Sequence, residues 1–173
     1  MNEPAASSLQ YAHINSPVGM LHLIFDDRYL RHILSQMRSL QPPPYWQRVE
    51  SLPYLAAKQL NAYFARTLSE FDLPISPEGT TFQLEVWAAL EEIPYGETMS
   101  YTEIAERVGK LDAVRAASLA NVKKPFPIVV PCHRVVGSDG SMTGCSGGLS
   151  TKEFLLTHEG VPVPERMQQL SLF

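Results

Sequence analysis

The sequence predicts an α/β chain of the α+β kind: a small N-terminal antiparallel sheet with a covering helix, then a winged helix-turn-helix-like C-terminal domain. Three observations predict it. Residues 9 to 36 alternate apolar and polar in the manner of strands. Two capping-box patterns, Thr80 with Gln83 and Ser100 with Glu103, each stand just before an apolar helical stripe. The second of these helices is followed, across a short turn containing Gly109, by a further helical run. The stretch FDLPISPEG, 71–79, separates sheet from helices, so the expected units are 1–78, 79–164 and a C-terminal tail, 165–173.

In chain order, MLHLIF places Leu21, Leu23 and Phe25 on one face of a strand, and YLRHIL follows after an Asp-Asp-Arg turn. QPPPYW, 41–46, is a loop, because proline removes donors and fixes the backbone. PYLAAKQLNAYFART sets Ala56, Leu60, Tyr63, Phe64 and Thr67 on one side of a helix, with Pro53 in its first turn. Phe82, Val86, Trp87 and Leu90 form the stripe of the next helix, which ends near Pro94. SYTEIAERV is closed by Gly109. AVRAASLANV is capped by Asp112 and ended by Pro125, and TKEFLLTHE is capped by Ser150 with Glu153 and stopped by Gly160. The glycine-rich GSDGSMTGCSGG and the apolar run before it supply the wing.

The 173 residues are 45% hydrophobic, enough for a substantial core. No run approaches the roughly 18 apolar residues of a membrane helix, and the N-terminus lacks a signal-peptide pattern, so the expectation is a cytoplasmic protein with no membrane partner. Two cysteines, Cys132 and Cys145, without metal-ligand spacing make a poor disulfide framework and a poor zinc site, so reduced thiols and no metal are expected. No phosphate loop or dinucleotide fingerprint is present, so no cofactor is expected. The net charge of −4 argues against a polyanion partner, yet its distribution reverses the argument. Between Arg107 and Arg134 stand Arg107, Lys110, Arg115, Lys123, Lys124 and Arg134 against Asp112 alone. One cationic face for nucleic acid is expected there, carried by a third helix of small residues (Ala113, Ala116, Ala117, Ser118, Ala120) with Arg115 in its first turn.

The segment IVVPCHRVVG, 128–137, poses the chemical question. A thiol is a nucleophile only as thiolate, and its ordinary pKa near 8.5 leaves it protonated at neutral pH. His133 is adjacent to Cys132, but in an extended strand neighbours point to opposite faces, so a turn or a bridging water is needed. Glu159 stands further on, at the end of the last helix, where it can orient the imidazole. By residue pattern alone the pair is either a packed thiol beside a core histidine or a nucleophile with its base.

TTFQLEVWAALEEIPYGETMSYTEIAERVG and IVVPCHRVVGSDGSMTGCSGGLSTKEFLLTHEG together resemble the O6-alkylguanine-DNA alkyltransferases from about Thr80 to Gly160. The resemblance implies direct, irreversible transfer of an alkyl group from guanine O6, less readily from thymine O4, to the protein's own cysteine. By position it implies Cys132 as acceptor, His133 as base through a water, and Glu159 as the carboxylate behind it. Tyr101 would help turn out the damaged nucleotide and hydrogen-bond the leaving base, and Arg115 would fill the vacated space. Ala116, Ser118, Lys123, Lys124 and Arg134 join Tyr101 and Arg115 as the expected DNA contacts. The base pocket would be lined by Cys132, Val135, Cys145 and Ser146. Two positions depart from the family pattern. Lys124 replaces the asparagine that ties the recognition helix to the cysteine loop, and Cys145 replaces a tyrosine in the pocket wall.

The rival readings are a lesion-binding protein without repair activity, against which Cys132 stands, and a Cys-His-Glu hydrolase, which turnover would reveal. The expected partner is double-stranded DNA with alkylated bases, bound by a monomer; whether copies cluster on the duplex is left open by the sequence. The last residues, Gln169, Leu170, Ser171, Leu172 and Phe173, resemble the short peptides that dock on the bacterial sliding clamp. The alternative is a tail that plugs its own core.

Overall fold

The computed structural model describes residues 9–35, 42–44, 46–49, 54–123, 126–142 and 147–163. Pro53, Lys124, Pro125, Cys145, Ser146 and the tail 165–173 lie outside the described residues. The chain divides into two compact units, Met1–Pro77 and Glu78–Phe173.

In the first unit, β1 (Gln10–Ser16), β2 (Gly19–Phe25) and β3 (Leu30–Ser35) form an antiparallel meander with Leu23 opposite both Ala12 and Ile33. The period-2 pattern sends Ala12, Ile14, Leu21, Leu23 and Ile33 into the core. Helix α1 (Tyr54–Phe64) packs on β1 and buries Ala56, Leu60 and Tyr63, each such side chain beyond alanine contributing about 1.5–3 kcal/mol. Thr67 is exposed beyond the helix end rather than on its buried stripe.

The sheet is mixed rather than wholly antiparallel, because β4 (Gln47–Arg48) pairs parallel to β1 and gives the order β3-β2-β1-β4. Two residues are too few to show a period; β4 exists only because Gln47 and Val49 donate backbone N–H groups to Leu9 and Tyr11. The segment FDLPISPEG is also less free than a linker. Leu30 N–H donates to Pro74, Ser76 N–H to Leu30, and the Gln59 amide bonds both backbone groups of Asp72.

The second unit begins with α2 (Thr81–Glu91) and α3 (Tyr101–Arg107), and both capping boxes form with reciprocal bonds. Each cap contributes about 1 kcal/mol and sets the first residue of its helix. Val86, Trp87 and Leu90 are buried as the stripe requires, while Phe82 is half-buried. Gly109 ends α3 at φ +70°, a left-handed turn that costs glycine little. A 3-10 turn, Leu111–Ala113, then leads into α4 (Val114–Lys123). Asp112 lies inside that turn and is not the expected cap of α4. Trp87 Nε1 donates to the Ala120 carbonyl at 2.9 Å and locks α4 onto α2.

Two further expectations change. Helix α5 (Leu149–His158) starts ahead of Ser150, from Gly148 at φ +88°, so Ser150 is helical and makes no cap. The run before the cysteine is not a strand: Ile128 adopts φ +75°, Val130 N–H returns to Phe126, and Cys132–Arg134 form a 3-10 turn. Only β6 (Val135–Val136) is extended, and it pairs parallel to β5 (Met99–Ser100). Among the described residues the second unit's sheet is this parallel pair. Its consequence is positional. It sets the start of α3, and with it Tyr101, beside the Cys132–Arg134 turn.

Candidate active site and DNA-facing helix

The 3-10 turn changes the relation of the adjacent side chains, because residues i and i+1 no longer point to opposite faces of a strand. Cys132 is 1% exposed and His133 fully buried. His133 Nε2 lies 2.7 Å from Glu159 Oε1, while His133 Nδ1 is buried with no hydrogen-bond partner. Burial lowers the His133 pKa and outweighs the opposing pull of Glu159, so the imidazole is neutral at pH 7. A neutral ring with Nε2 against a carboxylate carries its proton on Nε2. Nδ1 is therefore an open acceptor, the state a general base requires.

Glu159 is held by more than histidine. Arg134 donates to it twice, through Nε at 2.8 Å and Nη2 at 2.9 Å, and the Gly96 N–H donates to Oε2 at 3.2 Å. Burial by itself raises the carboxyl pKa, but the bonds from His133 and Arg134 outweigh it and hold it far below the ordinary carboxylate range. The third Arg134 arm, Nη1, donates to the Ile93 carbonyl at 2.7 Å, tying the loop after α2 to the cysteine turn. Arg134 is 6% exposed. Its expected role as a DNA contact is corrected: a guanidinium wholly engaged inside the domain presents nothing to a phosphate, and its work is to fix Glu159.

Tyr101 is buried at the first position of α3. Two groups that sequence reading passed over converge on it. The Asn121 Nδ2 lies 3.4 Å from the Tyr101 hydroxyl, and the Lys152 ammonium stands 6.0 Å from the ring centroid. Lys152 is fully buried and donates to the carbonyl of Val135, one of the expected pocket residues. A lysine within an amphipathic helix reads as solvated surface, so no local signal marks it; only the fold turns it inward.

On α4 the small residues divide. Ala117 and Ala120 pack inward against the domain, whereas Arg115, Ala116 and Lys123 are exposed and Ser118 is half-buried. Leu111 and Leu119, 62% and 57% exposed, stand four residues either side of Arg115 and complete an outer face that is apolar with one central cation. Arg107 and Lys110 are engaged with Glu92 and Glu85. Both pairs are on the surface, so these two cations stay accessible, and of the expected cationic face only Arg134 is withdrawn into the core among the described residues.

A helix-turn-helix unit joined to a buried cysteine, an adjacent neutral histidine and an ion-paired glutamate defines the class: a DNA-binding protein with a nucleophilic thiol. Residues 81–161 match the family model described as "6-O-methylguanine DNA methyltransferase, DNA binding domain", and residues 9–77 match its "ribonuclease-like domain". A Methanosarcina acetivorans protein named methylated-DNA–protein-cysteine methyltransferase is 46% identical over 88% of this chain and 99% of its own. A Mycolicibacterium paratuberculosis protein of the same name is 44% identical over 87% of this chain and 92% of its own. The crystal structure of Mycobacterium tuberculosis OGT in complex with DNA superimposes with a TM-score of 0.82 at 43% identity, covering 87% of this chain and 93% of that one. The chain belongs to the methylated-DNA–protein-cysteine methyltransferases, the O6-alkylguanine-DNA alkyltransferase family.

Proposed function

We infer that this protein repairs alkylated DNA by moving the alkyl group from guanine O6, and less readily from thymine O4, onto Cys132. The observation that carries the reading is the polarised chain from Glu159 through His133 to an open, buried Nδ1, on the residue that follows Cys132 in the same 3-10 turn. A water between Nδ1 and the thiol takes the thiol proton as sulfur attacks. The S–C bond forms, the C–O6 bond breaks, and its electron pair passes to the base. The thiol proton ends on the released guanine, so the cysteine has exchanged hydrogen for alkyl. Nothing in this arrangement hydrolyses a thioether, and each molecule acts once.

The reacting base must leave the duplex, because a thiol 1% exposed is out of reach of a stacked base. Tyr101 helps turn the nucleotide out and donates a hydrogen bond from its hydroxyl to the leaving base. Arg115 fills the gap in the stack. Leu111 and Leu119 beside it suit the deoxyribose walls of a groove, and Lys123 a phosphate. The backbones of Cys132, Val135 and Ser146 hold the base, with Cys145 replacing a bulkier pocket wall. Incubation with an O6-methylguanine duplex followed by intact-mass measurement tests the reading. The expected result is one methyl replacing one proton on Cys132; repeated turnover or an unmodified protein overturns it.

No helix among the described residues is long and apolar enough to cross a membrane. We place the work in the cytoplasm, on DNA, by a monomer. The tail Gln169–Phe173 is proposed to dock on a bacterial sliding clamp, with Leu170, Leu172 and Phe173 as anchors and Gln169 as a rim contact. Deleting the last five residues abolishes clamp binding and leaves repair of naked DNA intact; unchanged clamp binding refutes the assignment.

A further inference from the structure

Asn121 is a polar residue in a place that stability does not explain. It lies on the inner face of α4, 1% exposed, with Nδ2 3.4 Å from the Tyr101 hydroxyl and Oδ1 buried without any hydrogen-bond partner. A buried amide oxygen left unpaired costs about 1–3 kcal/mol, and an apolar side chain of similar volume avoids that cost. The rest of this face, Ala117 and Ala120, is apolar and fully packed. The one thing the Asn121 side chain touches that a leucine could not serve is the phenol of Tyr101.

We propose that Asn121 is a positioning residue for alkyl transfer, donating a hydrogen bond to the Tyr101 oxygen so that the phenol proton is aimed at the leaving base. The inference rests on the repair reading above and deepens it. A phenol oxygen has one proton to give and lone pairs to fill. With a lone pair occupied by the Asn121 N–H, the hydroxyl is held against rotation, and donation to one side strengthens donation on the other. Negative charge accumulates on the base as the C–O6 bond breaks, and the phenol oxygen shares it through its proton. The Asn121 amide on one side and the Lys152 ammonium 6.0 Å from the ring stabilise that charge in a water-poor setting. The bond is long in the free protein, as catalytic hydrogen bonds often are before substrate closes the site.

Asn121 also stands two turns along the helix that carries Arg115, and the amide joins that helix to the first residue of α3.

Single-turnover transfer, DNA affinity and melting temperature are to be measured for the wild type, Asn121→Leu, Asn121→Ala, Tyr101→Phe and the double variant Asn121→Leu/Tyr101→Phe. Transfer is followed from an O6-methylguanine duplex at saturation and from free O6-benzylguanine. The expected result is a loss of about three- to tenfold in Asn121→Leu and Asn121→Ala, the worth of one hydrogen bond, on both substrates. Duplex affinity stays unchanged, Asn121→Leu melts no lower than the wild type, and no further loss appears in the Tyr101→Phe background. An unchanged rate in Asn121→Leu, a full additional loss on top of Tyr101→Phe, or a loss confined to the duplex overturns the proposal. A different failure, Tyr101→Phe transferring at the wild-type rate, strikes the role given to Tyr101 itself.

Discussion

Replacing Glu159 by glutamine removes one charge and almost no volume, yet it breaks an ion pair and disarms a base in the same step. The carboxylate accepts from His133 at 2.7 Å, from Arg134 at 2.8 and 2.9 Å, and from the Gly96 N–H at 3.2 Å. A glutamine has one acceptor oxygen for these four donors and turns its own NH2 toward one of them. Arg134, 6% exposed, is left without its counter-charge, a loss of about 3–5 kcal/mol for a broken buried pair. At about 2–4 °C per kcal/mol for a chain of this size, the melting temperature falls by roughly 10 °C. The chemical loss is separate. Without an anion at Nε2 the ring loses the partner that fixes its tautomer, Nδ1 ceases to be a dependable acceptor, and transfer slows by about a hundredfold to ten-thousandfold. Single-turnover transfer to Cys132 from free O6-benzylguanine, followed by intact mass at a temperature where the variant is folded, measures it. Arg134→Gln is the control: it loses the ion pair but keeps Glu159 against His133, so it should melt low and transfer within about tenfold of wild type. A Glu159→Gln protein that is destabilised yet transfers within threefold of wild type would refute the assignment of Glu159 to the base.

The same geometry constrains the response to DNA and to pH. Arg115→Ala should slow repair of an O6-methylguanine duplex by at least tenfold while leaving reaction with free O6-benzylguanine unchanged, since an exposed arginine on α4 serves only the duplex; equal losses on both would place it in the chemistry. Because burial holds His133 below its ordinary 6.5, transfer should stay level as pH falls to 6.5 and decline only beneath it, where Nδ1 gains a proton; a limb centred above 6.5 contradicts a buried neutral base. Glu159 has its folded pKa depressed, so its stabilisation is complete above its ordinary 4.5 and is lost as pH falls below that. The melting temperature of the wild type should drop through this acid range more steeply than that of Glu159→Gln.

The helices of the second unit were legible because their signals are local. A threonine or serine followed three residues later by glutamine or glutamate satisfies its own helix terminus, and the boxes at Thr80 and Ser100 form wherever the chain goes next. The sheet of the first unit was legible for the same reason, its period of two being a property of neighbouring residues. Where a local pattern competed with a backbone demand it failed. Ser150 and Glu153 spell a cap, but the glycine pair before them starts α5 earlier; IVV spells a strand, but Ile128 at φ +75° bends it into the turn that presents Cys132.

The site itself divides along the same line. Cys132, His133 and Glu159 could be picked from the sequence as a thiol, a base and a carboxylate, because those residue types carry that chemistry in any fold. What the three do together was decided only by the tertiary structure. His133 and Glu159 stand 26 positions apart, so the chain must fold back for a 2.7 Å contact to exist, and no spacing rule encodes that return. Arg134 shows the limit most plainly. In the sequence it is one more cation in a basic run; in the fold it is sealed behind the cysteine turn with all of its bonds made to Glu159 and Ile93. Lys152 and Asn121 are the same case, charged or polar side chains on helices that read as surface and are turned inward by packing. Charge and residue type belong to the chain, whereas burial belongs to the fold. A guanidinium in water is a free contact for phosphate, and one removed from water must be paired.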